Sequence, residues 1–222
     1  MNPFQPQIIM TRLILIRHAE TEGNLNGVWN GVTDAPLTAR GQQQIAAVAQ
    51  HMAGWVDANP IHHFYTSPMG RAQKTAAAIR HEINKIPLIH EELREFDLGD
   101  WEGRSMKELG EQEKLWEIWA ANPHFAPPNG ESPDGFSRRA VKIIGDLAHQ
   151  HAGETVLAVT HGGIISCSVA YWIEGQLSEW EKWEPHNCSI TILSCEEKAW
   201  RLEAFSDVAH LPSALVVQRV EE

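Results

Sequence analysis

Cysteine is scarce: Cys167, Cys188 and Cys195 are the only three in 222 residues, an odd number with no CxxC spacing. A disulfide framework and a cysteine-built zinc site are both excluded as organising devices, and a reducing compartment is expected. Long apolar runs are absent too. No stretch reaches the ~18 residues of a membrane span, and Met1 to Thr11 lacks the basic start and apolar centre of a secretory signal. A soluble, cytoplasmic protein without membrane contact is expected. Positive charge is in deficit, with 18 Lys and Arg against 29 Asp and Glu and a formal net charge of -11. There is no basic face for nucleic acid, so an anionic substrate has to be held by a few placed cations. Internal repeats and low-complexity tails are also lacking.

What the chain does have is an alternation. Residues 13–16, 63–66, 155–160 and 189–193 read as buried strands, with helical patterns between the first three. Thr38 is placed to cap a helix running through Gln42 to Met52. Ser67-Pro68 sets a capping hydroxyl before a proline, for a helix through Arg71, Thr75 and Ile79. Gly162-Gly163 turns a strand into a helix through Val169 and Trp172. Strands alternating with helices predict a three-layer α/β/α sandwich on a mostly parallel sheet. Residues 189–193 and 200–204 predict a terminal hairpin, which adds an antiparallel edge strand. The length suits a single domain over residues 1–222. At about 104–135 the alternation breaks: Trp116 and Trp119 lead into a proline-rich stretch, and Ser132-Pro133 starts the next helix. This segment is expected to be a helical and loop insertion that caps the site.

Four places carry chemistry. Arg17-His18 follows the first strand, and His161-Gly162-Gly163 follows the third, so two imidazoles are set at one rim of the sheet, where open α/β sheets present ligand sites. Arg71 falls in the first turn of the helix after the second strand, where backbone N–H groups favour an anion and a guanidinium offers a planar fork for phosphate oxygens. Glu95 lies in the carboxylate-rich loop of residues 91–102. A carboxyl group near a bound phosphate has its proton affinity raised, as a general acid requires. Taken singly, each of these residues has an ordinary structural explanation; together they converge on phosphate.

The chain resembles the histidine phosphatase superfamily, in its phosphoglycerate mutase-like branch 1. The likeness is carried by Arg17-His18-Ala19-Glu20-Thr21 with Asn24, Gly31 to Thr38 with Gly41, Ser67-Pro68-Met69-Gly70-Arg71-Ala72, Leu93-Arg94-Glu95 with Gly99 and Trp101-Glu102-Gly103, Gly130-Glu131-Ser132 and His161-Gly162-Gly163. The resemblance implies the phosphoglycerate mutase-like fold. It implies that His18 accepts the phosphoryl group, that Arg17, Arg71 and His161 form the phosphate pocket, and that Glu95 donates a proton. Asn24, Gly31 and the backbone at Gly162 would complete the phosphate's hydrogen bonds. Ala19 stands where glycine is commoner in the family, a small change in backbone approach.

The reading is therefore a phosphatase hydrolysing a small phosphorylated metabolite through a phosphohistidine, with no cofactor and no metal. The closest alternative is a phosphoglycerate mutase, which must also hold a carboxylate; Arg104, Lys107 and Lys114 of the insertion are scattered among acids and form no basic cluster for one. A catalytically silent phosphate-binding module would have lost His18, Arg71, Glu95 or His161, and all are present. His62-His63 and His149-Gln150-His151 are expected to be structural, not metal ligands. Among the nine tryptophans, Trp29, Trp55, Trp172 and Trp200 are assigned to core or edge packing, and Trp116 and Trp119 to the leaving-group site. Trp180 and Trp183 are assigned to a self-association surface of a homo-oligomer.

Overall fold

The computed structural model describes residues 10–177, 179–197 and 199–217. In chain order the elements are β1 (Met10–Arg17), the single turn α1 (Glu22–Leu25), α2 (Ala39–Trp55), β2 (His63–Thr66), α3 (Gly70–Ile83), β3 (Leu88–Ile89), α4 (Met106–Gln112), α5 (Leu115–Ala121), α6 (Pro133–Gln150), β4 (Thr155–Thr160), α7 (Gly162–Val169), β5 (Ile190–Glu196) and β6 (Ala199–Asp207). The sheet order is β3-β2-β4-β1-β5-β6. Strands β1 to β4 pair in parallel, and β5 and β6 add the expected antiparallel edge.

The unbroken apolar run of β1 is explained by burial on both faces. Leu13 and Leu15 join a core with Val156, Ala158, Phe136 and Ile164, while Ile14 and Ile16 join a second with Val48, Met52, Ala76 and Ile79. Helices α2 and α3 cover one face of the sheet, α6 and α7 the other. All four β1 side chains are sealed, which stabilises the fold by about 1.5–3 kcal/mol each. Strand β3, two exposed residues beside β2, has no run long enough to be read in advance.

Helix starts are set as expected in two cases. The Thr38 hydroxyl accepts the Gly41 N–H at 2.9 Å, and Ser132 accepts the Gly135 N–H at 3.1 Å with Pro133 in the first turn. Ser67 is a correction. Helix α3 begins at Gly70, and its first amides, Gly70 and Arg71, donate to the carboxylate of Asp34 at 2.7 and 3.1 Å. The Ser67 hydroxyl is engaged with His161 instead, at 2.6 Å. A carboxylate brought from another segment replaces the local hydroxyl cap, a substitution that spacing cannot disclose.

Because β1, β2 and β4 are parallel, the residues that follow them, His18, Ser67 and His161, emerge at one rim. The segment after β2 and β3 then delivers Arg71 and Glu95 to the same rim, and α4 and α5 stand beside it.

Candidate active site

His18 continues the β1–β4 ladder, its N–H donating to Thr160 O at 2.9 Å, and Asn187 Nδ2 donates to its carbonyl at 3.0 Å. The ring is almost fully buried. Its Nδ1 lies 2.8 Å from Ala19 O, an acceptor only, so Nδ1 carries the proton. Its Nε2 accepts from Arg71 Nε at 3.3 Å, so that nitrogen is unprotonated and its lone pair is held by the guanidinium, on a ring that lines the cavity. Burial, then the charges of Arg71 and Arg17, hold the imidazole well below its usual pKa, keeping it neutral near pH 7.

Arg71 commits every N–H of its guanidinium. Besides His18 they reach Thr33 O at 2.7 Å, Asp34 Oδ1 at 3.2 Å, Asn30 O at 2.9 Å and Gly31 O at 2.6 Å. This shows where Gly31 acts. Its amide donates to Glu102 Oε2 at 2.9 Å, its carbonyl holds Arg71, and it does not line the cavity. The expected phosphate-binding place of Gly31 is thus replaced by a supporting one. Glu102, part of a sequence motif but given no role there, also accepts the amides of Val32 and Thr33 at 3.0 and 3.2 Å, clamping the loop that grips Arg71.

Arg17 pairs with Glu184 at 2.9 Å and also donates to Pro185 O, leaving its buried Nε without a partner among the described residues. Glu95 accepts the amides of Phe96 and Gly163, both at 3.0 Å. Gly163 is required there, since a Cβ would lie 2.5 Å from Glu95 Oε1 and 2.7 Å from the Phe136 ring. Asn24 Oδ1 accepts from the Thr21 amide at 3.1 Å and so closes the turn of α1.

His18, Arg17, Arg71, Glu95, Asn24 and Gly162 line one cavity of about 480 Å³. His161 stands behind His18, with ring centroids 5.1 Å apart and edge to face. The Ser67 hydroxyl accepts the Met69 N–H at 3.2 Å and so turns its own proton to His161 Nε2, which leaves Nδ1 as the protonated nitrogen. That buried Nδ1 has no partner among the described residues. Burial first, then Arg71, His18 and Arg17, push His161 well below the usual pKa as well.

Trp29, Trp116, Trp119 and Trp180 line the same cavity. Trp29 was expected in the core and Trp180 at a self-association surface; both face this space. Trp183 also turns inward, packing edge to face on Phe205 at 4.9 Å.

Among the described residues, one group has metal-ligand atoms close together: His63, His151 and Glu154, within 4.8 Å of one another at the far end of the sheet. The two rings stack at 3.6 Å with a tilt of 24°. Imidazole lone pairs lie in the ring plane, so a single ion cannot sit in both planes without the stack opening.

The family model for the histidine phosphatase superfamily (branch 1) matches residues 13–208. The chain belongs to this superfamily. It is 31% identical to the probable phosphoglycerate mutase GpmB of Cronobacter sakazakii over 91% of this chain and 95% of that one. It is 30% identical to the metal-independent phosphoserine phosphatase of Arabidopsis thaliana over 95% of this chain and 87% of that one. The crystal structure of phosphoserine phosphatase from Entamoeba histolytica in complex with 3-phosphoglyceric acid superposes with a TM-score of 0.79 at 31% identity, covering 91% of this chain and all of that one. The six-stranded, mostly parallel sheet with its antiparallel edge is therefore that of the phosphoglycerate mutase-like histidine phosphatases. No helix among the described residues is long and apolar enough to cross a membrane.

Proposed function

We propose that this histidine phosphatase hydrolyses small-molecule phosphomonoesters through a phosphohistidine on His18, with Glu95 as proton donor. The observation that carries the proposal is the state of His18: neutral, with Nδ1 locked on Ala19 O and an unprotonated Nε2 that only Arg71 Nε–H holds, at the cavity wall. The Nε2 lone pair attacks phosphorus, and the bond from phosphorus to the ester oxygen breaks. Glu95 gives its proton to the departing alkoxide, releasing the alcohol. Arg71 Nε–H passes from His18 Nε2 to a phosphoryl oxygen as the new P–N bond forms. Arg17 Nε and His161 Nδ1 are the buried donors for which a phosphoryl group is the missing acceptor. In the second half, Glu95 takes a proton from water, the oxygen attacks phosphorus, and the P–N electron pair returns to Nε2. Inorganic phosphate leaves and Glu95 is again protonated. The work is alignment and charge neutralisation, which two arginines and an imidazole supply. The insertion at 104–135 bounds the side where the alcohol departs, within a single domain.

Mutase activity is the second reading, favoured by the likeness to GpmB. Against it, the third arginine on the wall, Arg40, already pairs with Glu20 through Nε and Nη2, at 3.0 and 2.6 Å. Protein incubated with a labelled phosphoester and quenched should carry an acid-labile, base-stable label on His18 and release inorganic phosphate. Label on serine or aspartate, or normal turnover by His18→Ala, rules out the mechanism; interconversion of 2- and 3-phosphoglycerate without phosphate release establishes the mutase instead.

A further inference from the structure

We infer that the alcohol half of the substrate is a flat, ring-bearing group with a hydrogen-bond acceptor and no second anionic charge, seated on the tryptophan wall of the insertion. The inference rests on the hydrolytic reading of the same site and names what that reading leaves open. A cavity of about 480 Å³ is far larger than a phosphoryl group requires and falls within the ~300–1,000 Å³ range of sites that enclose drug-sized molecules. Beyond the phosphate corner the wall that the insertion forms is apolar, and Glu181 and Glu184 stand on another part of the lining. Trp29 stacks on Trp116 with centroids 6.1 Å apart and a 25° tilt, and Trp119 meets both edge to face.

Two further observations point to an occupant. Leu25, Met106 and Trp116 are 55%, 43% and 48% exposed, and all three line this cavity, so its mouth keeps an unusual share of large apolar surface in water. Trp119 is the opposite case: its indole N–H is buried and has no partner among the described residues. A ring lying on the wall covers the first set, and an acceptor atom in or beside that ring satisfies the second.

The charges disfavour a carboxylated alcohol. Each arginine of the cavity is engaged, Arg40 with Glu20 at 2.6 Å, Arg17 with Glu184 at 2.9 Å and Arg71 with Asp34 at 3.2 Å, and no lysine lines it among the described residues. Two of these arginines are already assigned to the phosphate. A carboxylate on the leaving group would meet Glu181 and Glu184 and would have to share Arg40 with Glu20.

The test uses esters of primary alcohols, so that leaving-group reactivity stays nearly constant: ethyl phosphate, 2-phenylethyl phosphate, 2-(pyridin-3-yl)ethyl phosphate and 3-phosphoglycerate, assayed at pH 8. The phenylethyl ester should exceed ethyl phosphate about tenfold in kcat/KM, and 3-phosphoglycerate should be the poorest. The pyridyl ester should exceed the phenyl ester, and Trp119→Phe should remove that advantage while keeping the preference for a ring. Equal rates for ethyl and phenylethyl esters, or 3-phosphoglycerate as the best substrate, overturn the inference. Binding separates this from a failure of the hydrolytic reading. If no ester is turned over, yet 2-phenylethylphosphonate binds His18→Ala protein about tenfold tighter than ethylphosphonate, the wall stands and hydrolysis falls. Equal binding of the two phosphonates removes the wall whatever the turnover.

Discussion

His18 and His161 meet edge to face at the rim where β1 and β4 end, 5.1 Å between centroids; His63 and His151 stack at 3.6 Å at the opposite end, where β2 begins and α6 stops. The first pair is buried and flanked by Arg71 and Arg17, with no carboxylate among the described residues bonded to either ring. The second has a carboxylate at hand: Glu154 Oε2 is 2.7 Å from His63 Nε2 and 3.7 Å from His151 Nδ1, and the Tyr65 hydroxyl lies 2.9 Å from His151 Nε2. Glu154 is held below the usual carboxylate range first by its hydrogen bond to His63. Two imidazoles in contact thus become different chemical objects. Cations and burial make an uncharged base, and a carboxylate makes a hydrogen-bonded structural clasp.

The largest test of this contrast removes the proposed nucleophile. His18→Ala should lower kcat by at least about 10³-fold, while His63→Asn leaves it within twofold. Steady-state assays on one good substrate decide it, and comparable losses from the two changes would abolish the distinction. Arg71→Lys comes next. An ammonium supplies three donors where the guanidinium supplies five, so it cannot hold His18, Asp34 and three carbonyls together. A loss of about 10²–10³-fold in kcat/KM is expected even though the charge is kept.

Glu95→Gln tests what faces the neutral pair across the cavity. Turnover of esters with poor leaving groups should fall at least about 10²-fold, and turnover of an activated aryl phosphate much less. Equal slowing of both would remove Glu95 from the role of acid.

The gathering of these residues at one rim was legible because each follows a hydrophobic run of its own: Arg17-His18 after residues 13–16, His161 after 155–160, Arg71 just beyond 63–66. Topology then needs only parallel strands to gather them. The supports were less legible. Asp34 caps α3 and grips Arg71 from 37 residues away, and Ser67, whose position before a proline spells a cap, spends its hydroxyl on His161. Gly31 was assigned to phosphate because only its motif was visible; that its amide is taken by Glu102 is a fact of tertiary packing. The tryptophan wall was half legible. Trp116 and Trp119 stood out by lying in the segment that breaks the alternation. Trp29 and Trp180 come from segments about 150 residues apart, and no local pattern tells a ring facing a cavity from one facing a core.

Acid stability sharpens the comparison further. In the unfolded chain His18 and His161 titrate near 6.5, and in the folded protein both lie well below it. Above about pH 6.5 both states are neutral and folding carries no proton penalty. As pH falls below that value the unfolded chain takes up protons the folded protein refuses. Stability then drops by up to about 1.4 kcal/mol per pH unit for each imidazole, until the folded pKa is reached. Urea midpoints at pH 7.5, 6.5 and 5.5 should show this slope. The His18→Asn/His161→Asn double variant should flatten it without abolishing it, because His151 and His210 are depressed too. An unchanged slope would mean that the rim pair is not the proton-refusing one.

The smallest effect belongs to the clasp. His63 and Glu154 are both partly open to solvent, so their pairing is screened, and His63→Asn should leave the urea midpoint nearly unchanged. The more searching readout is kcat, because β2 runs directly from His63 to Thr66 and delivers Ser67, whose hydroxyl orients His161. If the strand transmitted strain, a change at His63 would reach the phosphate pocket within four residues. A kcat within twofold of wild type, with the same acid limb, is expected because Phe64, Tyr65 and Thr66 are buried and paired to β4 in fixed register along that path. A shift of the acid limb in His63→Asn would show instead that the two pairs titrate as one system, joined through the strand.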